Sequence, residues 1–246
     1  PKAIDVAYQA EVIQSEFQEE EPNFSHHEKQ SSGKPIVLII EDNAEVSQYI
    51  VSCLDQEYDI RTAYNGNEGL ARAYELVPDL IISDVMMPGK DGFEVCHQLK
   101  TDILTSHIPI ILLTGRGDQN AMMEGIEHGA DAYVVKPFNP SELELRVKKL
   151  LELRANLSLY YQQQAKTGDD VAHPHASARE NEFLRKIREF VLEHLSNSQL
   201  SMDMLSHHMA LSHPQLHRKI TALTNESMGK FVRSIRLSKA KELLLH

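Results

Sequence analysis

The chain contains no tryptophan, and only two of its 246 residues are cysteine. Cys53 and Cys96 show neither metal-ligand nor redox-motif spacing, so they read as inert thiols in a reducing compartment. Aromatic residues make up a lean 6%, while a hydrophobic content of 41% is enough for packed cores. No apolar run approaches the roughly 18–20 residues that a membrane-crossing helix requires. No basic-then-apolar leader opens the chain either, and its first residue is Pro1. These absences point away from a disulfide scaffold and a membrane span. They suggest a cytoplasmic protein that is a piece of a longer one, with room for one large domain or two small ones.

Basic charge is also scarce, but unevenly so. The net charge is −11. Residues 1–33 carry two Lys against seven acids, and residues 34–165 carry eleven basic against twenty acidic residues. Only residues 179–246 reverse the sign, with eleven basic against seven acidic, a net +4. That segment alone suits a phosphate backbone, whereas the acidic middle leaves room for a divalent cation.

Residues 1–33 are polar and acidic with no sustained period, which predicts a disordered linker. From Pro35, short β-branched runs appear at 36–40, 58–63, 79–83, 108–113 and 132–135. Amphipathic helical patterns lie between and after them, near 44–55, 66–77, 91–100, 118–128 and 140–157. Strands alternating with helices predict a parallel sheet covered on both faces. The runs IVLII and IPIILL are apolar throughout, as strands buried on both faces should be. Residues 160–178 lack a period and read as a second linker. A helical stripe of Phe183, Leu184, Ile187, Phe190, Val191 and Leu195 follows, then two short helices and a long one.

In such a sheet, polar chemistry gathers at the carboxyl ends of the strands. Glu41 and Asp42 follow the first strand, Asp84 closes the third, and Thr114 and Lys136 follow the fourth and fifth. Polar residues after strands are ordinary one at a time; five from four strands converge on one rim. Three clustered carboxylates repel one another unless a cation intervenes, and hard oxygen ligands suit Mg²⁺.

The segments VLIIEDN, DLIISDVMMPGKDGFEV, IPIILLTG and GADAYVVKPF resemble the receiver domain of two-component response regulators, over residues 36–155. Thr114 lies 30 residues after Asp84 and Lys136 lies 22 after Thr114, the spacing of that family. The resemblance implies a flavodoxin-like, doubly wound (βα)5 domain with the strand order 2-1-3-4-5, which the family is known for. It implies that Asp84 is the carboxylate nucleophile that becomes an aspartyl phosphate. Glu41, Asp42, Asp84 and the backbone carbonyl of Met86 would hold Mg²⁺, and Lys136 and Thr114 would contact the phosphoryl oxygens. Tyr133 resembles the switch aromatic that moves inward with Thr114, and the Lys136–Pro137 bond is expected to be cis. Phosphatases of the haloacid dehalogenase type also use a strand-end Asp with Mg²⁺, but place a second Asp two residues on. Met86 stands there and cannot transfer protons, so a stored phosphoryl group fits better than rapid turnover. Self-phosphorylation and slow self-dephosphorylation are the only enzymatic expectation.

In the basic segment, Ser212 is placed to cap a helix with Gln215 completing a capping box, and Leu211 and Leu216 flank it as a staple. Pro214 falls in the first turn, where its missing N–H costs nothing. Leu216, Ile220 and Leu223 form the apolar face, and His217, Arg218 and Thr221 are expected to point the other way. Residues 183–246 resemble the first helix-turn-helix of the AraC-type DNA-binding domain and its long linking helix. The resemblance makes Arg218 the expected base or phosphate contact, with His217 and Thr221 beside it. The family has a second such motif, and the chain stops at His246 before one, so weak DNA binding is expected. Seven His lie in residues 173–217, but those at 173 and 175 fall in a linker and those at 207 and 208 in a helix, so no metal is expected there.

The expected organisation is therefore an acidic linker (1–33), a receiver (34–159), a linker (160–178) and half of an AraC-type domain (179–246). This resembles the C-terminal part of a hybrid sensor, with a histidine kinase as phosphodonor, duplex DNA as target and a homodimer formed on phosphorylation. The alternative is a phosphorelay or protein-interaction adaptor that passes or sinks phosphate without binding DNA.

Overall fold

The computed structural model describes residues 34–115, 129–167, 173–195 and 200–245. The chain divides into two units, Pro1–Lys34 and Pro35–His246, and the second holds all the secondary structure among the described residues. The expected linker at 1–33 and the expected helix at 118–128 lie outside the described residues.

Five strands, β1 (Ile36–Ile40), β2 (Asp59–Ala63), β3 (Leu80–Asp84), β4 (Ile110–Gly115) and β5 (Ala132–Lys136), form one sheet in the order β2-β1-β3-β4-β5. All four pairings are parallel. Helices α1 (Ala44–Leu54), α2 (Gly66–Leu76), α3 (Gly92–Thr101) and α4 (Pro140–Thr167) alternate with them. Strand side chains alternate between faces, and the two cores follow that rule. Leu38, Ile40, Ile81, Ile110 and Leu112 pack with α2 and α3 residues such as Leu70, Ala73, Cys96 and Leu99. Val37, Ile39, Leu80, Ile82, Ile111 and Leu113 pack with Ile50, Leu54, Leu143 and Val147 on α1 and α4. Both faces are buried, which is why the central strands are apolar without alternation. The doubly wound parallel sheet expected from the sequence is the observed one. Burial pushes the Cys96 thiol up to about 12 and raises that of Cys53, which disfavours the thiolate at both.

The helix expected over 140–157 runs ten residues further, to Thr167, through residues read as linker. Its continuation SLYYQQQAKT holds no Gly or Pro and is rich in good helix formers. Tyr161 is buried there, with Leu157 and Tyr160 packed against the same C-terminal core. Gln162 donates to the Thr224 carbonyl and Ser238 to the Lys166 carbonyl, so tertiary contacts hold what period alone did not predict.

Helices α5 (Ala178–Glu193), α6 (Met202–His208), α7 (His213–Thr224) and α8 (Met228–Leu245) complete the described fold. The predicted stripe of α5 is buried at Phe183, Leu184, Ile187, Phe190 and Val191. It meets Leu216, Ile220 and Leu223 of α7 and Phe231 and Ile235 of α8. Ser212 and Gln215 form the expected capping box of α7, with Pro214 in its first turn, and Asn225 ends that helix at φ 54°. Asn tolerates this left-handed geometry better than most residues.

Candidate phosphoacceptor site

The sheet is wound outward from β1, to β2 on one side and to β3 on the other, so the connections diverge at β1/β3. A crevice opens there at the carboxyl ends of the strands. Glu41 and Asp42 leave β1, and Asp84 is the last residue of β3. Ile40 pairs with Ser83, which sets these carboxylates side by side. Carboxylate oxygens of Glu41, Asp42 and Asp84 all lie within 4.8 Å of one another. Glu41 and Asp84 are buried, and Asp42 is exposed.

Lys136, at the end of β5, reaches across β4 to this cluster. Its Nζ lies 2.7 Å from Glu41 Oε2 and 3.1 Å from Asp84 Oδ2. One ammonium thus faces three carboxyls, leaving a negative excess. Burial raises the Glu41 pKa and nearby Asp84 raises it further, while Lys136 and the Asn43 backbone N–H lower it. Such a site gains from a hard cation, which would hold the carboxylates ionised. Thr114, on β4 beside Val135, is 5% exposed and sits on the same rim. Met86, two residues beyond Asp84, turns its side chain to solvent at 71% exposure, so only its backbone could serve a ligand.

Tyr133 pairs with Leu112 in the sheet and packs against the α2/α3 face. Its hydroxyl is enclosed and has no hydrogen-bond partner among the described residues. Burial, with Cys96 and Asp131 nearby, pushes its pKa up to about 12. The Lys136–Pro137 bond is cis, as the resemblance implied.

Sequence reasoning missed Gly92. A Cβ at this position would lie 2.2 Å from the Asp84 carbonyl oxygen, so the first turn of α3 presses on the backbone of Asp84 itself. The Asp91–Gly92 pair at a helix start was the available signal, because Asp91 caps α3 in a box with Glu94. Gly92→Ala is expected to shift α3 or the end of β3 and to cost about 1–3 kcal/mol, as overpacking does. It should also slow phosphoryl uptake. Denaturant unfolding and uptake kinetics check this, and an unchanged profile in both would show that the contact is not restrictive.

The DNA-facing candidates are placed differently from expectation. His217 is exposed, as predicted. Arg218 instead turns onto the receiver, its Nη1 donating to the carbonyls of Glu75 at 2.8 Å and Tyr74 at 3.3 Å. Thr221 Oγ1 is enclosed without a partner among the described residues. The solvated basic face drawn from helical spacing is therefore partly covered. Sequence reasoning also missed Lys219, whose side chain is 0% exposed and lies 2.6 Å from Glu180 Oε2. Its place three residues after Leu216 and four before Leu223 puts it on the buried stripe, a signal that was available.

A doubly wound parallel sheet with a carboxylate cluster and a lysine at its carboxyl rim is a flavodoxin-like α/β architecture. Residues 37–148 match the family model of the response regulator receiver domain. The chain is 37% identical over 212 residues to Histidine kinase P4 of Formosa agariphila, covering 86% of this chain and 15% of that protein. It is 40% identical over 142 residues to Transcriptional regulatory protein ResD of Bacillus subtilis, covering 57% of this chain and 58% of ResD. The solved chemotaxis response regulator CheY4 of Vibrio cholerae matches at 34% identity and a TM-score of 0.45, covering 48% of this chain and 98% of that one. The chain carries a receiver domain of the two-component response regulator type. It spans less than two thirds of the length of either curated relative. No helix among the described residues is long and apolar enough to cross a membrane.

Proposed function

We propose that Asp84 accepts a phosphoryl group from a histidine kinase and thereby controls a DNA-binding output in the C-terminal helices. The observation that carries the first half is the cluster of Glu41, Asp42 and Asp84 within 4.8 Å, with Lys136 reaching two of them. An Asp84 carboxylate oxygen forms the new P–O bond as the bond to the donor's imidazole nitrogen breaks, and the imidazole leaves with the electron pair. Glu41, Asp42, Asp84 and the Met86 carbonyl would hold Mg²⁺, which supplies charge neutralisation for the transferring group. Lys136 then moves from the carboxylate to a phosphoryl oxygen, and the Thr114 hydroxyl donates to another. Drawing Thr114 inward repositions Tyr133 and the adjoining face, through which two phosphorylated copies pair.

For the output, α6 and α7 form the helix-turn-helix pair and α8 the long helix of an AraC-type half-domain. The net +4 of residues 179–246 supports it. So does the 212-residue likeness to Histidine kinase P4, which is longer than the 112 residues of the receiver match. The receiver is assigned to 34–159 and the helical half-domain to 179–246, with α4 bridging into the segment between. A cytoplasmic chain with an upstream or separate kinase fits this organisation. The adaptor reading is favoured by one observation, that Arg218 grips receiver backbone.

Incubation with a small acyl phosphate should add one phosphoryl group in Mg²⁺ and none in chelator, by intact mass. The labelled form should sediment as a larger species than the unlabelled one. Uptake that ignores chelator would remove the metal from the mechanism.

A further inference from the structure

A cavity of about 230 Å³ lies between the amino edge of the sheet and the C-terminal helices. Its walls come from both sides: His107 from the turn into β4, Arg154 and Leu157 from α4, Glu180 from α5 and Leu223 from α7. An apolar cavity of about 150 Å³ is enough to take up benzene, so this one has room for a small organic molecule. It sits about 15 Å from the phosphoacceptor rim, the length of a five-residue strand.

One polar atom of the wall is left without a partner. Lys219 Nζ lies 3.0 Å from His107 Nδ1. An ammonium has only donors, so Nδ1 accepts and the ring carries its proton on Nε2. That Nε2 is enclosed and has no hydrogen-bond partner among the described residues. A buried donor left unmet is costly, and an acceptor placed in the cavity would meet it. Burial lowers the His107 pKa, and Lys219, Arg154 and Lys100 lower it further, so the neutral ring sits in a positive field that favours an anionic acceptor.

The acids of the wall do not oppose one, because each is held by its own lysine at 2.6 Å, Asp131 by Lys100 and Glu180 by Lys219. Arg154 is less fully engaged. Its Nη1 donates to the carbonyls of Asp79 at 2.7 Å and Pro78 at 3.1 Å, and the Asp79 carboxylate stands off from Nη2 at 3.5 Å. These contacts occupy at most three of the five N–H donors of a guanidinium. The rest of the wall is largely apolar, with Leu150 and Leu153 beside Leu157 and Leu223.

We propose that this cavity binds a small monocarboxylate with an apolar body. The carboxylate takes hydrogen bonds from His107 Nε2 and Arg154, and the body lies against the leucines. Inorganic phosphate would leave the leucines uncovered, and a hydrocarbon would leave Nε2 unmet. The occupant touches the receiver and the C-terminal helices at once, so it stabilises the chain in the arrangement that packs them together. The inference does not depend on whether those helices bind DNA.

Benzoate is the probe, titrated into the full chain by calorimetry and followed by thermal unfolding. It is expected to bind saturably, with a Kd of about 1 mM or tighter, and to raise the unfolding midpoint. Benzamide keeps the ring and an acceptor oxygen but lacks the charge, and should bind about tenfold more weakly. His107→Phe keeps a ring and removes the donor, while Ala222→Leu puts a larger side chain into the wall. Each should weaken benzoate about tenfold or more. Should His107→Phe fail to fold, Ala222→Leu and the benzamide comparison decide the matter alone. No saturable binding by the parent chain would mean that water alone meets Nε2, and overturns the site. Benzoate affinity unchanged in Ala222→Leu places the ligand elsewhere and overturns it as well. Equal affinity for benzamide and benzoate overturns the choice of an anion.

Discussion

Asp84→Asn is expected to abolish phosphoryl uptake from acyl phosphate. The amide is isosteric, so the buried end of β3 should pack as before, and Lys136 keeps its 2.7 Å partner in Glu41. What disappears is the anionic oxygen proposed to attack phosphorus, together with one of the three clustered carboxylates. An amide oxygen is a far poorer nucleophile than a carboxylate oxygen. Intact mass should show no added phosphoryl group over a period in which the parent is fully labelled. Thermal unfolding should show a folded variant. Retention of the mass shift would sink the assignment of Asp84.

The second large effect is expected at Lys219 and Glu180. Their side chains are 0% and 3% exposed and 2.6 Å apart, and Phe183 lies under the ammonium at 5.7 Å. Burial pushes the Lys219 pKa down to about 8, against the pull of Glu180. Removing one partner strands the other charge in a poorly solvated site, which costs about 3–5 kcal/mol. Lys219→Met and Glu180→Gln should therefore each lower stability by that amount in denaturant unfolding. The double variant should lose less than the sum, because neither charge is left stranded. Strict additivity would mean that the two charges act independently and that the short contact carries little energy.

Much of the receiver was legible in the sequence alone. The apolar runs at β1 and β4 carried the parallel sheet because strands buried on both faces leave no polar alternation. Glu41, Asp42, Asp84, Thr114 and Lys136 could be placed on one rim because parallel strands send all their carboxyl ends the same way. The capping box at Ser212 and Gln215 was equally local, and the structure has it. Where prediction fell short, long-range packing decided. The end of α4 moved from 157 to Thr167 because Tyr161 found a buried place among residues far along the chain.

The sequence by itself determined the order of elements, the hydrophobic division of each strand and the residues that can meet at the phosphoacceptor rim. Those depend on periods of two and 3.6 residues and on caps that act over a single turn. Only the tertiary structure decided that Gly92 bears on the Asp84 carbonyl and that Lys219 is paired rather than solvated. It alone turned Arg218 onto the ends of receiver helices, through a pairing 143 residues apart in the chain. A helix's period tells which side chains share a face, but which face meets water depends on what docks against it. For α7 the docking partner is the receiver's own amino edge.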